Sequence, residues 1–146
     1  MANGVYTKGA YLIGSAGANL ASADLRCLLV KSTYTFDKAH NFVSDVVAGA
    51  LEISVGGYAR VALTTKTLTE DDANSCAYLD ADDVLFAALA AGQTVGGAVL
   101  YKYNAADASA EVIAFYDVAD TPTNGGNITI QWATPGANGG VLKLAV

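Results

Sequence analysis

The chain has 146 residues, 53% of them hydrophobic and only 15% charged, with a formal charge of −6 and a mean hydropathy of +0.33. That is the length of one ordinary domain, able to bury roughly 68–70% of its unfolded surface without staples. The composition is too apolar for disorder and so poor in solvating charge that partners are expected to cover part of the surface. Eight scattered Lys and Arg offer no source of counterion release, which argues against nucleic acid as a partner. No apolar run nears the roughly 18 residues that cross a bilayer, and MANGVYTKGAYLIG lacks the charged start and long apolar core of a signal peptide, so neither membrane nor secretion is expected.

Taken in chain order, residues 5–13 suit either a short helix capped by Asn3, with Tyr6, Ala10 and Ile13 on one face, or a strand; helix is the preferred reading. GSAGANLAS at 14–22 is small and polar, so residues 1–23 read as an N-terminal arm or short helix plus a flexible loop, and 24–146 as a β-rich domain. LRCLLVK at 25–31 is apolar on both faces and predicts a central strand. Asp37 is placed to cap a short helix carrying Phe42, Val43 and Val46, with Gly49 as its stop. LEISV at 51–55, Gly56-Gly57 and YARVALTT at 58–65 read as strand, turn and strand, with Ala59, Val61 and Leu63 facing the core.

The next stretch, TEDDANSCAYLDADDV at 69–84, carries Glu70, Asp71, Asp72, Asp80, Asp82 and Asp83. It lacks the glycine and closing Glu of an EF-hand loop, although Asp80, Asp82 and Asp83 together remain candidates for a hard cation. Glu70 to Asn74 reads more simply as a turn. Ala77, Leu79 and Ala81 alternate into Asp83, whereas Tyr78, Asp80 and Asp82 lead into Val84 and Phe86; the register breaks at 82–83, which predicts a bulge or corner. Residues 96–118 form the clearest hairpin, and ITIQW at 128–132 with VLKLAV at 141–146 read as a terminal one. About eight strands and one or two short helices predict a mainly β, single-domain antiparallel β-sandwich or partly open β-barrel.

Catalytic signatures are absent: the chain has no P-loop, no dinucleotide fingerprint and no nucleophile elbow, and His40 is its single histidine. Cys27 lies in an apolar run expected to bury it, which makes a Cys27–His40 pair a poor nucleophile and base. Cys27 and Cys76 are expected as reduced, buried thiols, with a disulfide as the alternative. No enzyme, cofactor or catalytic residue is therefore expected.

ANGVYTKG, LLVKSTYTFDKAHNFVSDV, GYARVALTTKTLT, LDADDVLF, AVLYKY and NGGNITIQWATPGANGGVLKLA, spread over nearly the whole chain, resemble a widespread family of small structural proteins of tailed bacteriophages. The resemblance implies a virion component made in the bacterial cytoplasm. Its leading form is a head decoration, or cement, protein on the outer capsid surface, with the major capsid protein and sister subunits as partners. A tail, collar or fibre-associated adaptor is the competing form, and a small carbohydrate-binding β-sandwich is a third reading from another class. The expected partner-binding residues lie in the N-terminal segment, at Val5, Tyr6, Tyr11 and Leu12, and in the last strand, at Leu142 and Leu144.

Overall fold

Three runs in which almost no position faces water set the architecture. The computed structural model describes residues 2–136 and 139–145. The elements run β1 (Gly4–Val5), α1 (Thr7–Gly14), β2 (Leu25–Lys31), α2 (Val43–Val47), β3 (Val61–Ala62), β4 (Thr67–Asp71), β5 (Cys76–Asp80), β6 (Val84–Phe86), β7 (Thr94–Lys102), β8 (Glu111–Pro122), β9 (Ile128–Ile130) and β10 (Leu142–Ala145). The fold is mainly β and sandwich-like. All its ladders are antiparallel, in sheets ordered β1-β8-β7-β2-β3, β10-β5-β4 and β6-β9, and none of these closes into a barrel.

As the two-faced apolar pattern predicted, β2 lies inside the large sheet, between β7 and β3. One face of this sheet carries Cys27, Leu29, Ala98, Leu100 and Ile113 into a core completed by residues of the two smaller sheets, among them Leu79, Phe86, Ile130 and Leu142. The opposite face carries Leu28, Val30, Val99, Tyr101, Val112 and Phe115, and is covered by Tyr6, Tyr34, Val43 and Val46. The expected hairpin is β7–β8, with register shifts between Val95 and Gly97 and between Leu100 and Tyr101.

The N-terminal segment is part of this body rather than an arm. β1 pairs with Ala114 and Phe115 of β8, and Leu12, Ala18 and Leu20 enter the first core. Residues Thr7–Gly14 form the expected helix, but its buried face is Gly9 and Leu12, while Ala10 is exposed. Asn3 does not cap the helix; its Oδ1 accepts the Asp117 N–H at 2.7 Å and so ties the chain start to β8. Gly9 packs on the Ile113 backbone so closely that a Cβ would overlap it. Likewise Asp37 does not cap α2: it accepts the Ala39 N–H at 2.9 Å, while Asp45 reaches back to accept the N–H groups of Asn41 (2.9 Å) and Phe42 (3.0 Å). These two bonds hold the Asp45 carboxyl below the usual range.

Two expected hairpins are absent. Glu52 bridges to Val30, and Val61–Ala62 pair with Arg26 and Cys27, so residues 51–53 and β3 follow the same edge of β2 as one interrupted strand. Gly56-Gly57 lies in the outward excursion between them; Gly57 has φ +84° and sits against the Ala88 carbonyl. At the C-terminal end, β9 pairs with β6 and β10 with β5, so the two last strands belong to different sheets. The turn expected between them and the end of its second strand include residues 137, 138 and 146, which lie outside the described residues. Replacing Gly9 by Ala should gain about 1 kcal/mol of helix propensity yet lose more by forcing α1 off β8, a net destabilisation of roughly 1–3 kcal/mol. An unchanged or raised urea midpoint would show that α1 is not held at that distance.

Candidate partner-binding surface

Directly opposite residues of an antiparallel ladder share a face, so the registers of β10-β5-β4 define two rows on the same side: Leu68–Leu79–Leu142 and Glu70–Ala77–Leu144. Leu79 and Leu142 reach the core. The second row lies one step nearer the β4–β5 hairpin tip, beyond the core's reach, and Leu68 at the edge of the first row is 50% exposed. Together with Asp72 these residues bound an open groove of about 620 Å³, floored by Leu68, Ala77 and Leu144 and rimmed by Glu70 and Asp72. β4 and β10 are both sheet edges. The hairpin is closed by Asp71, which accepts both the backbone N–H (3.1 Å) and the Nδ2–H (2.8 Å) of Asn74, and by Ser75 in the left-handed region at φ +48°. The turn expected at 70–74 therefore begins two residues later: Glu70 and Asp71 still pair in β4 with Ala77 and Cys76, and the chain reverses over residues 72–75.

The corner expected at 82–83 is where β5 ends and β6 begins, and its acids answer to different partners. Asp82 accepts the hydroxyls of Thr64 (3.1 Å) and Thr65 (2.5 Å), while its N–H donates to the Thr64 carbonyl at 3.1 Å. Thr65 is held at φ +53°, a costly conformation for a β-branched residue, which the Asp82 bond helps to hold. On the other side Asp83 accepts the Trp132 N–H and the Asp82 carbonyl accepts the Trp132 Nε1–H, both at 3.0 Å. Asp80 is half-buried at the end of β5. Among the described residues no group of three His, Cys, Asp or Glu is placed to hold a metal.

A second cluster escaped the sequence reading. Arg60, in the excursion before β3, donates to both carboxylate oxygens of Glu52 at 2.7 Å and to both of Asp107 at 2.6 and 2.9 Å. Tyr58 donates to Glu52 at 2.8 Å and accepts the Leu29 N–H at 3.0 Å, so the network is anchored on β2. Hydrogen bonds from Arg60 hold the Asp107 carboxyl below its ordinary range, and those carboxylates push the guanidinium up. The signal is three polar residues 8 and 47 positions apart, and no local pattern joins them.

Of the expected partner-binding residues, the fold buries three. Tyr6 is fully enclosed and hydrogen-bonded to Tyr34 (2.9 Å), whose hydroxyl also lies 3.3 Å from His40 Nδ1; Leu12 and Leu142 are core. His40 thus borders an aromatic cluster with Tyr6 and Tyr34. Burial also pushes the Tyr6 hydroxyl and the Cys27 thiol up, and both cysteines are free and buried. The other three reach the surface: Val5 is 43% exposed, Tyr11 64% exposed on α1, and Leu144 lies in the groove. A second open cleft of about 440 Å³ lies between β1–β8 and residues 129–133, beside Val5. Its aromatic wall is committed, with Trp132 packed edge-on to Tyr116 at 5.0 Å and the Tyr116 hydroxyl donating to the Val141 carbonyl at 2.6 Å.

No family model, curated protein or solved structure matches the chain.

Removing Arg60, as in Arg60→Met, leaves Glu52 and Asp107 facing each other and should cost about 2–3 kcal/mol, read as a lower urea midpoint. Asp107 has a folded pKa below its unfolded one, so its contribution is present above pH about 4 and fades as pH falls through the depressed value. Asp107→Asn should therefore be destabilised at pH 7 and approach the parent near pH 2; a pH-independent gap would assign the effect to packing. Converting Asp82 to Ala should cost about 1 kcal/mol and alter Trp132 fluorescence as the corner loosens. Calcium should leave the thermal midpoint of the parent unmoved, and a rise of several degrees at millimolar calcium would place a cation at Asp80, Asp82 and Asp83.

Proposed function

We propose that this protein is a structural component of a tailed-phage virion, a head decoration protein that binds the outer capsid surface in many copies and stabilises the assembled lattice. The observation that carries this reading is the apolar surface the fold leaves uncovered on a low-charge chain. Leu68 is half exposed on an edge strand and Tyr11 nearly two-thirds exposed on a helix, in a protein with only 15% charged residues. A lone soluble domain rarely combines an open apolar groove with so little solvating charge, whereas a protein whose edges are covered by neighbours does. The near whole-chain resemblance to small phage structural proteins supplies the setting. The negative charge suits the outside of a shell, since a lining against packaged DNA would gain from positive charge.

The mechanism is additive. Each copy buries a modest area, and a protein that binds the expanded lattice but not its separated subunits stabilises that lattice by mass action. The groove and α1 offer the contact surface.

Quantitative mass spectrometry of purified particles, together with a reconstruction of the intact virion, tests the reading. Expected are a copy number within a few-fold of the major capsid protein and density on the outer shell. Only a few to a few dozen copies at the neck or tail would instead make the chain a tail or collar adaptor, and absence from washed particles would end the virion reading.

A further inference from the structure

In the core that contains Leu28 and Val99, two tyrosine hydroxyls are enclosed together, and hydrogen bonds lead from them to the single histidine of the chain. The Tyr6 side chain is fully buried, and among the described residues the one partner of its hydroxyl is the Tyr34 hydroxyl at 2.9 Å. Tyr34 is buried too; its oxygen accepts the Asp37 backbone N–H and lies 3.3 Å from His40 Nδ1. His40 is half-buried and so open to protons from solvent. Two hydroxyl protons in this enclosure need two acceptors. With Nδ1 unprotonated both are found: Tyr6 donates to Tyr34, Tyr34 donates to Nδ1, and the Tyr34 oxygen keeps a lone pair for the Asp37 N–H. With a proton on Nδ1 the ring becomes a donor, and the Tyr34 oxygen is filled by the Nδ1–H and the Asp37 N–H. Tyr34 then donates to Tyr6, and the Tyr6 proton has no acceptor. Turning the imidazolium away to water strands the Tyr34 proton instead.

We infer that His40 is a proton-sensitive latch: protonation of its ring strands one hydroxyl proton of the Tyr6–Tyr34 pair and so loosens the N-terminal segment from the body in mild acid. The effect falls there because Tyr6 joins β1 to α1, where the Tyr6 and Thr7 N–H groups are held by the Ile113 and Lys38 carbonyls, both at 3.0 Å. Charged groups surround the ring from the loop, from α2 and from α1. Asp37 and Lys38 precede it in the loop, and the His40 N–H donates to the Asp37 carbonyl at 3.1 Å. Asp45 faces it from α2. Lys8 of α1 lies 5.5 Å from the neighbouring Phe42 ring and is paired with Glu111 of β8. The two aspartates attract the proton that the hydroxyl pair resists, and each is already engaged by backbone N–H groups. An imidazole takes up its proton near pH 6.5, which sets the working range at about pH 5–7. The inference stands independently of the virion reading.

Urea unfolding of the full chain between about pH 7.5 and 5.5, above the range in which ordinary carboxylates titrate, is the test. The proton costs the folded chain and not the unfolded one, so stability is full above pH about 6.5 and falls below it. The parent's unfolding equilibrium constant should therefore rise by up to about ten-fold at pH 5.5. His40→Gln, which keeps an acceptor and does not titrate, should lose this step. So should the double variant Tyr6→Phe/Tyr34→Phe, which keeps the ring packing and removes both hydroxyls. A step that persists in the folded double variant would assign it to burial of the imidazole, and a parent no less stable at pH 5.5 would show that the aspartates prevail; either result overturns the latch. Two further measurements do not depend on the double variant. Imidazole nitrogen NMR of the parent at pH 8 should find the proton on Nε2, and finding it on Nδ1 would remove the acceptor that the latch requires. Hydrogen exchange, corrected for intrinsic rates, should show the Tyr6 and Thr7 amides losing protection at pH 5.5 in the parent and not in His40→Gln; equal protection in the two proteins would also overturn it.

Discussion

Leu28, Val30, Val99, Tyr101, Val112 and Phe115 point one way from the β2–β7–β8 ladder, and Cys27, Leu29, Ala98, Leu100 and Ile113 point the other. A sheet apolar on both sides has to be covered twice, and in a chain of this length the covers are built from short pieces. On one side, residues 34–51 and Tyr6 supply the lid, with Tyr6 and Tyr34 satisfying each other's hydroxyls at 2.9 Å so that two large aromatics can be enclosed. On the other side, the lid is the pair of small sheets together with Leu12, Ala18 and Leu20. This second demand draws the N-terminal segment into the body: α1 lies on β8 through a glycine because only a glycine lets the backbones approach that closely.

Short covering elements leave edges. The β10-β5-β4 sheet meets the core through Leu79 and Leu142 and then extends beyond it, so its inner face changes from core to surface within a single strand. The corner at 82–83 fixes where this happens. Thr64, Thr65 and Trp132 bind it from two sides, and the sheet is therefore held to the body at one end with its groove open at the other. The Arg60 network does the same for the edge of β2, tying the 54–60 excursion to the 105–110 loop where no strand pairing is available.

What the sequence disclosed follows from which interactions are local. The central position of β2, the β7–β8 hairpin, a turn after β4 (at 72–75 rather than 70–74) and the 82–83 corner all follow from alternation and turn chemistry within a few residues. The 51–65 and C-terminal hairpins were misread because alternation identifies a strand but not its partner. Gly56-Gly57 marks an excursion from a shared edge instead of a reversal, and β9 and β10 pair with strands more than forty residues upstream. Partner-binding residues fared similarly. Tyr6, Leu12 and Leu142 carry the same apolar signature as Val5, Tyr11 and Leu144, and only the packing of α1 and β10 against the cores separates the buried three from the exposed three. The ion network joining Glu52, Arg60 and Asp107 has no local signature at all.

The acidic stretch from 69 to 84 looks like one feature in sequence and divides into two in space. Asp71, Asp82 and Asp83 hold the backbone in shape: each accepts hydrogen bonds at a place where the chain turns. Glu70 and Asp72 stand exposed at the groove's rim, beside the open edge of β4. An edge strand with an exposed leucine invites pairing with its own copy, but two β4 edges laid antiparallel over their full length would set Glu70 of each molecule against Leu68 of the other and Asp71 against Thr67, so each leucine would meet a carboxylate instead of an apolar partner. The carboxylates of β4 therefore disfavour the symmetric edge-to-edge contact.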